Sequence, residues 1–200
     1  MRIAIVGAGL AGAMLAWRLR LASHRIRADL FTGNPSMDAD ATAASGGLVR
    51  AFETGVAACQ LAAESLAELH ASSTLRQWAD YQEVGSVYLP PHGADLTGPV
   101  KTVDSLVADS VAVLSRGELA RRYPFRDLPA GTTGVVERRA GYLSPARLRA
   151  QVLADLVAAN TVIHRLRVAR VSTTPAVQLA DGTTLCYDVV VVAAGARTPR

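Results

Sequence analysis

Gly7-Ala8-Gly9-Leu10-Ala11-Gly12 stands between a short apolar run, Arg2 to Val6, and a stretch of helical periodicity, Leu10 to Leu21. No other feature of the sequence restricts the fold as strongly. Three glycines at this spacing, directly after a strand and directly before a helix, each have a part to play. Gly7 makes the tight turn, Gly9 lets the backbone come close to a bound group, and Gly12 lets the helix pack tightly on the strand. Ile26 to Phe31 then returns as a second strand. The opening of the chain therefore reads as one right-handed strand–helix–strand crossover, the start of a parallel sheet.

A helix that begins at such a turn offers N–H groups and the positive end of its dipole to an anion, and a dinucleotide pyrophosphate is the ligand this geometry suits. The alternative is a glycine-rich turn with no ligand, and the strand–turn–helix context argues against it. The turn alone does not choose between NAD and FAD. The acid expected at the end of the second strand, where ribose hydroxyls are gripped, is absent: Thr32 stands there instead. Its hydroxyl is a weaker, neutral partner. Asp29 belongs to the other face of the strand and is no substitute.

Half of the 200 residues are hydrophobic and 19% are charged, which describes a globular chain and excludes disordered or collagen-like classes. The formal net charge is +4, but the arginines lie in short groups such as Arg121-Arg122 and Arg138-Arg139, and Lys101 is the only lysine. A nucleic-acid tract would be denser, so the basic residues read as solvated surface that also suits a ligand with two phosphate charges. Cys59 and Cys186 form no CxxC pair and read as reduced, buried thiols of a cytoplasmic protein. No zinc or iron–sulfur spacing occurs, so no metal is expected. No apolar run approaches the ~18 residues of a membrane span, and the N-terminus begins on a strand without a leader, so a soluble protein is expected.

Further along, Gly33 to Gly47 reads as a loop, Thr54 to His70 as a helix, and a shorter helix holds Trp78. Val84 to Leu89 reads as a strand, after which Pro90, Pro91, Gly93, Gly98 and Pro99 break the chain. Val111 to Leu114 is a strand, and Ser115 with Glu118 forms a capping box on a helix from Arg116 to Arg122. A strand holds Val135-Val136. Ser144 caps a long helix with Pro145 at its first position and Leu148, Val152, Leu153 and Leu156 facing inward. Val162-Ile163 and Leu166 to Val171 are strands, Val177 to Leu179 enters a hairpin through Ala180-Asp181-Gly182-Thr183, and Asp188 to Ala193 is an apolar strand closed by Ala194-Gly195.

Four segments together resemble the D-amino-acid oxidase, glycine oxidase and sarcosine oxidase family of flavoenzymes. They are RIAIVGAGLAGAMLAWRL at the start, Ala41 to Arg50 (ATAASGGLVR), Gly141-Tyr142-Leu143-Ser144-Pro145 before the long helix, and Val189 to Ala196 (VVVVAAGA). The resemblance covers nearly the whole chain and selects FAD over NAD. It implies an α/β fold: a Rossmann-like FAD-binding domain with the beginning of a mixed-sheet substrate domain. Residues 1–83 and 141–200 would form the FAD-binding part, and 84–140 a partial substrate or cap domain.

By the same resemblance Ala44, Ser45, Gly46, Gly47 and Leu48 lie against the flavin's pyrophosphate and ring. Val168 bonds the adenine through its backbone, and Ala194-Gly195 belong to the strand returning beneath the cofactor. Arg50 lies near the isoalloxazine, where a cation stabilises the reduced ring; a surface arginine at a helix entry is the alternative. The family's reaction is oxidation of an amine or amino acid by hydride transfer to flavin. Family members continue past the point where this sequence stops, so a second polypeptide supplying the C-terminal half of the fold is expected as partner, beside a small-molecule amine. A truncated chain is the rival. No catalytic residue is assigned. His24, His70, His92 and His164 read as surface or capping residues, Trp17 and Trp78 as core packing, and Tyr142 as structural. A flavin monooxygenase-like enzyme and a non-catalytic flavin-binding subunit are the competing readings.

Overall fold

The computed structural model describes residues 1–33 and 40–195. The chain divides into two compact units, Met1–Ser45 with Pro145–Arg200, and Gly46–Ser144.

The first unit is built on a parallel sheet. Strand β1 (Arg2–Val6) is flanked by β2 (Arg27–Phe31) and β13 (Val189–Val192), and β9 (Ile163–His164) adds to β2, giving the order β13-β1-β2-β9. Ile3, Ala4 and Ile5 are buried, which is why β1 is apolar without alternation: both faces of a parallel sheet are covered. Helix α1 (Leu10–Ala22) buries Gly12, Ala13, Ala16 and Trp17. Helix α7 (Pro145–Ala158) packs beside it and buries Leu148, Val152 and Leu156. Trp17 Nε1 donates to Asp155 at 3.0 Å, and Arg20 pairs with the same carboxylate. Against the sheet's other face lies an antiparallel meander of β10 (Val168–Ser172), β11 (Ala176–Leu179) and β12 (Thr184–Cys186). Ala4, Phe31, Val177, Leu179 and Tyr187 form the core between them.

A one-turn helix, α2 (Ala41–Ala44), completes the described part of the first unit. Its segment read as loop from composition. Asp40 makes it a helix by accepting from the Ala43 N–H at 3.0 Å, satisfying a donor that the short turn leaves over. Part of the loop expected from Gly33 to Gly47, residues 34–39, lies outside the described residues.

The second unit contains two small antiparallel sheets. One has the order β3-β8-β4, from Leu48–Val49, Gly141–Tyr142 and Gln82–Glu83; the other has the order β5-β7-β6, from Ser86–Tyr88, Thr133–Glu137 and Val111–Ser115. Helices α3 (Val56–Ala71), α4 (Ser73–Ala79), α5 (Thr97–Leu106) and α6 (Arg116–Arg122) surround them. The capping box of Ser115 and Glu118 on α6 is present as expected.

The strand read across Val84 to Leu89 is present in its middle as β5, and Gly85 (φ +76) turns the chain from β4 into it while its N–H donates to the Ala140 carbonyl at 2.8 Å. Two expectations fail here. The proline- and glycine-rich stretch contains α5. Pro99 sits in the first turn, where the N–H it lacks has no intrahelical partner to lose, and Asp95 accepts from the Thr97 N–H at 2.9 Å. Cys59 is buried as expected, whereas Cys186 is exposed, because it ends the outermost strand of the meander.

Candidate functional site

The glycine turn lies at the carboxyl end of β1, between the ends of β2 and β13. The Gly7 N–H donates to Phe31 at 2.9 Å and the Ala193 N–H to Val6 at 2.7 Å. Ligands of open α/β sheets bind outside the carboxyl ends of the strands, where neighbours diverge to either side.

The three glycines answer different demands. Gly7 has φ +115, and a Cβ on it would stand 2.3 Å from the Ala193 carbonyl oxygen. A Cβ on Gly12 would stand 1.9 Å from the Gly7 oxygen. Both are fixed by the chain's own packing. Gly9 is not: its φ of −63 suits any residue, and its Cβ would meet only the Thr42 hydroxyl, at an ordinary 3.5 Å. Glycine at position 9 leaves the backbone open to a group lying against it, the approach that a pyrophosphate needs. Ala8 is buried, while Gly9 and Leu10 are half-buried and Ala11 is exposed.

The first turn of α1 carries no acidic side chain, so nothing of its own opposes an anion. The Leu10 N–H donates to Thr42 Oγ1 at 3.0 Å, tying α2 to the start of α1. Asp40, which caps α2, also pairs with Arg149 of α7, whose side chain is almost fully buried. Arg149, Asp40 and Thr42 thus fix the segment beside the glycine turn. Ala44 ends α2 and Ser45 follows it, and both are exposed.

Thr32 follows β2 as expected. Its N–H donates to the His164 carbonyl at 2.9 Å and its hydroxyl lies 3.4 Å from the same oxygen. Asp29 is committed elsewhere: its Oδ2 accepts from the Tyr187 hydroxyl at 2.7 Å, with Arg2 at 3.4 Å and His164 Nε2 at 3.7 Å. Burial, with this bond to Asp29, raises the Tyr187 hydroxyl's pKa above its ordinary value. Val168 opens β10 opposite Leu179 and packs on the meander core. Ala194 and Gly195 follow β13, half-buried and exposed respectively; Ala196 lies outside the described residues.

In the second unit, Gly46 is exposed and Gly47 buried, with the Gly47 carbonyl accepting from Leu143 at 2.9 Å. Leu48 pairs with Tyr142 across β3 and β8, and both side chains are largely exposed. Arg50 is held: its Nε and Nη2 donate to Glu53 at 3.2 and 3.0 Å, and its guanidinium lies 4.7 Å from the centre of the Tyr88 ring.

Two of the four histidines depart from expectation. His24 and His92 are exposed, but the His70 side chain is 8% exposed and bonds the Arg139 carbonyl through Nε2 at 2.9 Å. The spacing Cys59, Ala63, Leu66, His70 places it on the buried stripe of α3, a signal present in the sequence. Tyr81, which also donates to that carbonyl, has its hydroxyl pKa pushed up to about 12 by burial. His164 stacks flat on Phe31 at 4.4 Å instead of facing solvent. Trp17 is buried as expected. Among the described residues no group of three His, Cys, Asp or Glu side chains is placed to hold a metal, and no helix is long and apolar enough to cross a membrane.

A parallel sheet whose first strand passes through a glycine turn into a helix defines a dinucleotide-binding fold. The family described as DAO, FAD dependent oxidoreductase, matches residues 2–200. The chain belongs to this family, and FAD is its cofactor. Among solved structures, the glycine oxidase of Geobacillus kaustophilus is 25% identical with a TM-score of 0.71, over 98% of this chain and 56% of that one. The L-proline dehydrogenase of P. horikoshii shares the fold at 12% identity and a TM-score of 0.74, over 96% of this chain and 52% of its own. The L-amino acid deaminase of Proteus myxofaciens does so at 18% and 0.69, over 98% and 46%. The chain thus spans about half the length of these structures. No match was found among the curated proteins.

Proposed function

We propose that this chain forms the flavin-holding part of an enzyme that oxidises an amine or amino acid. Membership of the family over residues 2–200 supports the class, and the single observation that carries the site is Gly9, a glycine with room for a side chain beside a helix start free of acids. In this reading the backbone of Gly7, Ala8, Gly9, Leu10, Ala11 and Gly12 receives the pyrophosphate, and Thr32 meets the ribose. Val168 takes the adenine through its main chain. Ala44, Ser45, Gly46, Gly47, Leu48, Ala194 and Gly195 line the cofactor, and Arg50 stands by the ring. When bound, FAD supplies the hydride acceptor; the protein's part is to orient it, and the main-chain donors of the turn neutralise its phosphates. The functional division is 1–83 and 141–200 for the cofactor, and 84–140 as the start of a substrate domain.

The oxidised substrate in this reading is a small amine, in keeping with a glycine oxidase as a structural neighbour. We also place the remainder of the neighbours' fold on a second polypeptide. Exposed apolar side chains such as Leu48, Val84 and Tyr142 support a covering partner. Two measurements test the proposal. Anaerobic addition of an amino acid panel should bleach the flavin absorbance, and a flavin that stays oxidised with every amine would favour a non-catalytic flavin-binding subunit. Co-purification with gel filtration should yield a second chain; a well-behaved yellow monomer would remove it.

A further inference from the structure

Glu137 closes β7 and its side chain is fully buried, the only acid in that state among the described residues. Its Oε1 accepts from the Ala51 N–H at 2.7 Å, the Phe52 N–H also points to the carboxylate, and the Ser86 hydroxyl lies 3.5 Å from Oε2. Ala51 and Phe52 immediately follow Arg50 and are themselves fully buried. A buried carboxyl is retained where it satisfies donors that nothing else reaches, and here those donors are the two peptide groups that anchor the Arg50 strap. The same strand pairing that places Glu137 opposite Ser86 places Val135 opposite Tyr88, the ring over which the Arg50 guanidinium lies. Phe52 packs on that ring at 5.6 Å. One sheet therefore supplies both the anchor of the Arg50 backbone and the platform of its side chain.

We propose that Glu137 is a positioning residue for Arg50, setting where the guanidinium stands relative to the flavin ring. This rests on the reading that Arg50 serves the ring. A fixed cation beside a flavin raises its midpoint potential by favouring the reduced form, and a displaced one does so less.

The test is the midpoint potential of the FAD-loaded protein, with far-UV circular dichroism to confirm folding. Arg50→Ala should lower the potential. Glu137→Asp keeps the acid but draws it back by one methylene from Ala51, and should lower the potential in the same direction by a smaller amount. The double variant should fall no lower than Arg50→Ala alone. Glu137→Gln keeps an acceptor for the Ala51 N–H and adds no negative charge, so its potential should stay at or above the unaltered value; it decides the matter if the Asp variant does not hold flavin. A normal potential in Glu137→Asp beside a lowered one in Arg50→Ala, additive shifts in the double variant, or a fall in Glu137→Gln to the Arg50→Ala value would each overturn the positioning role. No shift in Arg50→Ala would overturn the underlying reading of Arg50 instead, and the Glu137 role with it.

Discussion

Gly9 and Gly12 are separated by a single turn of helix and held for different reasons. Gly12 meets the Gly7 carbonyl, and backbone cannot move aside as a side chain can. Gly12→Ala should therefore destabilise the fold by about 1–3 kcal/mol or more, seen as a lowered denaturation midpoint with or without cofactor. Gly9→Ala should leave the midpoint of the flavin-free chain within about 0.5 kcal/mol of the parent while weakening FAD binding at least about tenfold, the equivalent of 1.4 kcal/mol, by fluorescence titration. Equal losses of stability in both variants would contradict the assignment. Glu137 gives a second prediction. Burial, against its hydrogen bonds, raises its pKa above the ordinary 4.5. The folded chain then holds this proton to higher pH than the unfolded one, so the stabilising contribution is complete below 4.5 and disappears as pH rises through the folded value. Glu137→Gln should flatten that part of the stability–pH curve; an unchanged slope would refute it. The glycine turn was legible because its meaning is local. Glu137 was not, since the amide it serves lies 86 positions away.

At the scale of elements, the strands and helices with clear period or caps were readable: β1, α1, α7 and the capped α6 stand where their residues put them. What escaped were elements decided by neighbours. Helix α5 begins within a run of glycine and proline that reads as a breaker, and α2 is too short to show a period. Its Thr42 gains importance only from the Leu10 N–H it accepts, 32 positions away. Capping supplies a paired test. Ser115→Ala removes the cap of α6 and should cost about 1 kcal/mol in urea denaturation without affecting FAD binding. Thr42→Val should cost a similar amount and, under the proposed reading of α1 as the phosphate-binding helix, also weaken FAD binding, because Thr42 ties α2 to the start of that helix. A Thr42→Val variant with unaltered cofactor affinity would detach α2 from the site.

For the whole molecule, the relevant fact is that one compact unit is continuous in sequence and the other is not. Residues 46–144 have buried residues of their own, including Phe52, Cys59, Leu66, Val103, Leu119 and Val135, and an element set with its own core is able to fold alone. Expressed as a fragment, 46–144 should melt cooperatively and bind no FAD; a featureless melt would show that its core depends on the rest. The change of composition near residue 84 suggests a boundary there, whereas the packing groups α3 and α4 with the sheets that follow them. Composition marks a change in the kind of chain, and contacts decide which parts belong together.

The pairing of β1 with β13 also has a temporal side. Ile3 lies opposite Val189 and Val6 opposite Val192, and the Ala193 carbonyl leaves no room for a Cβ on Gly7. On the ribosome the glycine turn emerges well ahead of its neighbouring strand, which arrives only after the whole intervening unit has been made. Closing so long a loop is slow by its topology, and at ordinary translation rates of about 5–20 residues per second the wait is on the order of ten seconds. The nascent chain must therefore keep the apolar β1 unpaired on one side throughout that interval, and the glycine turn is completed long after it is made.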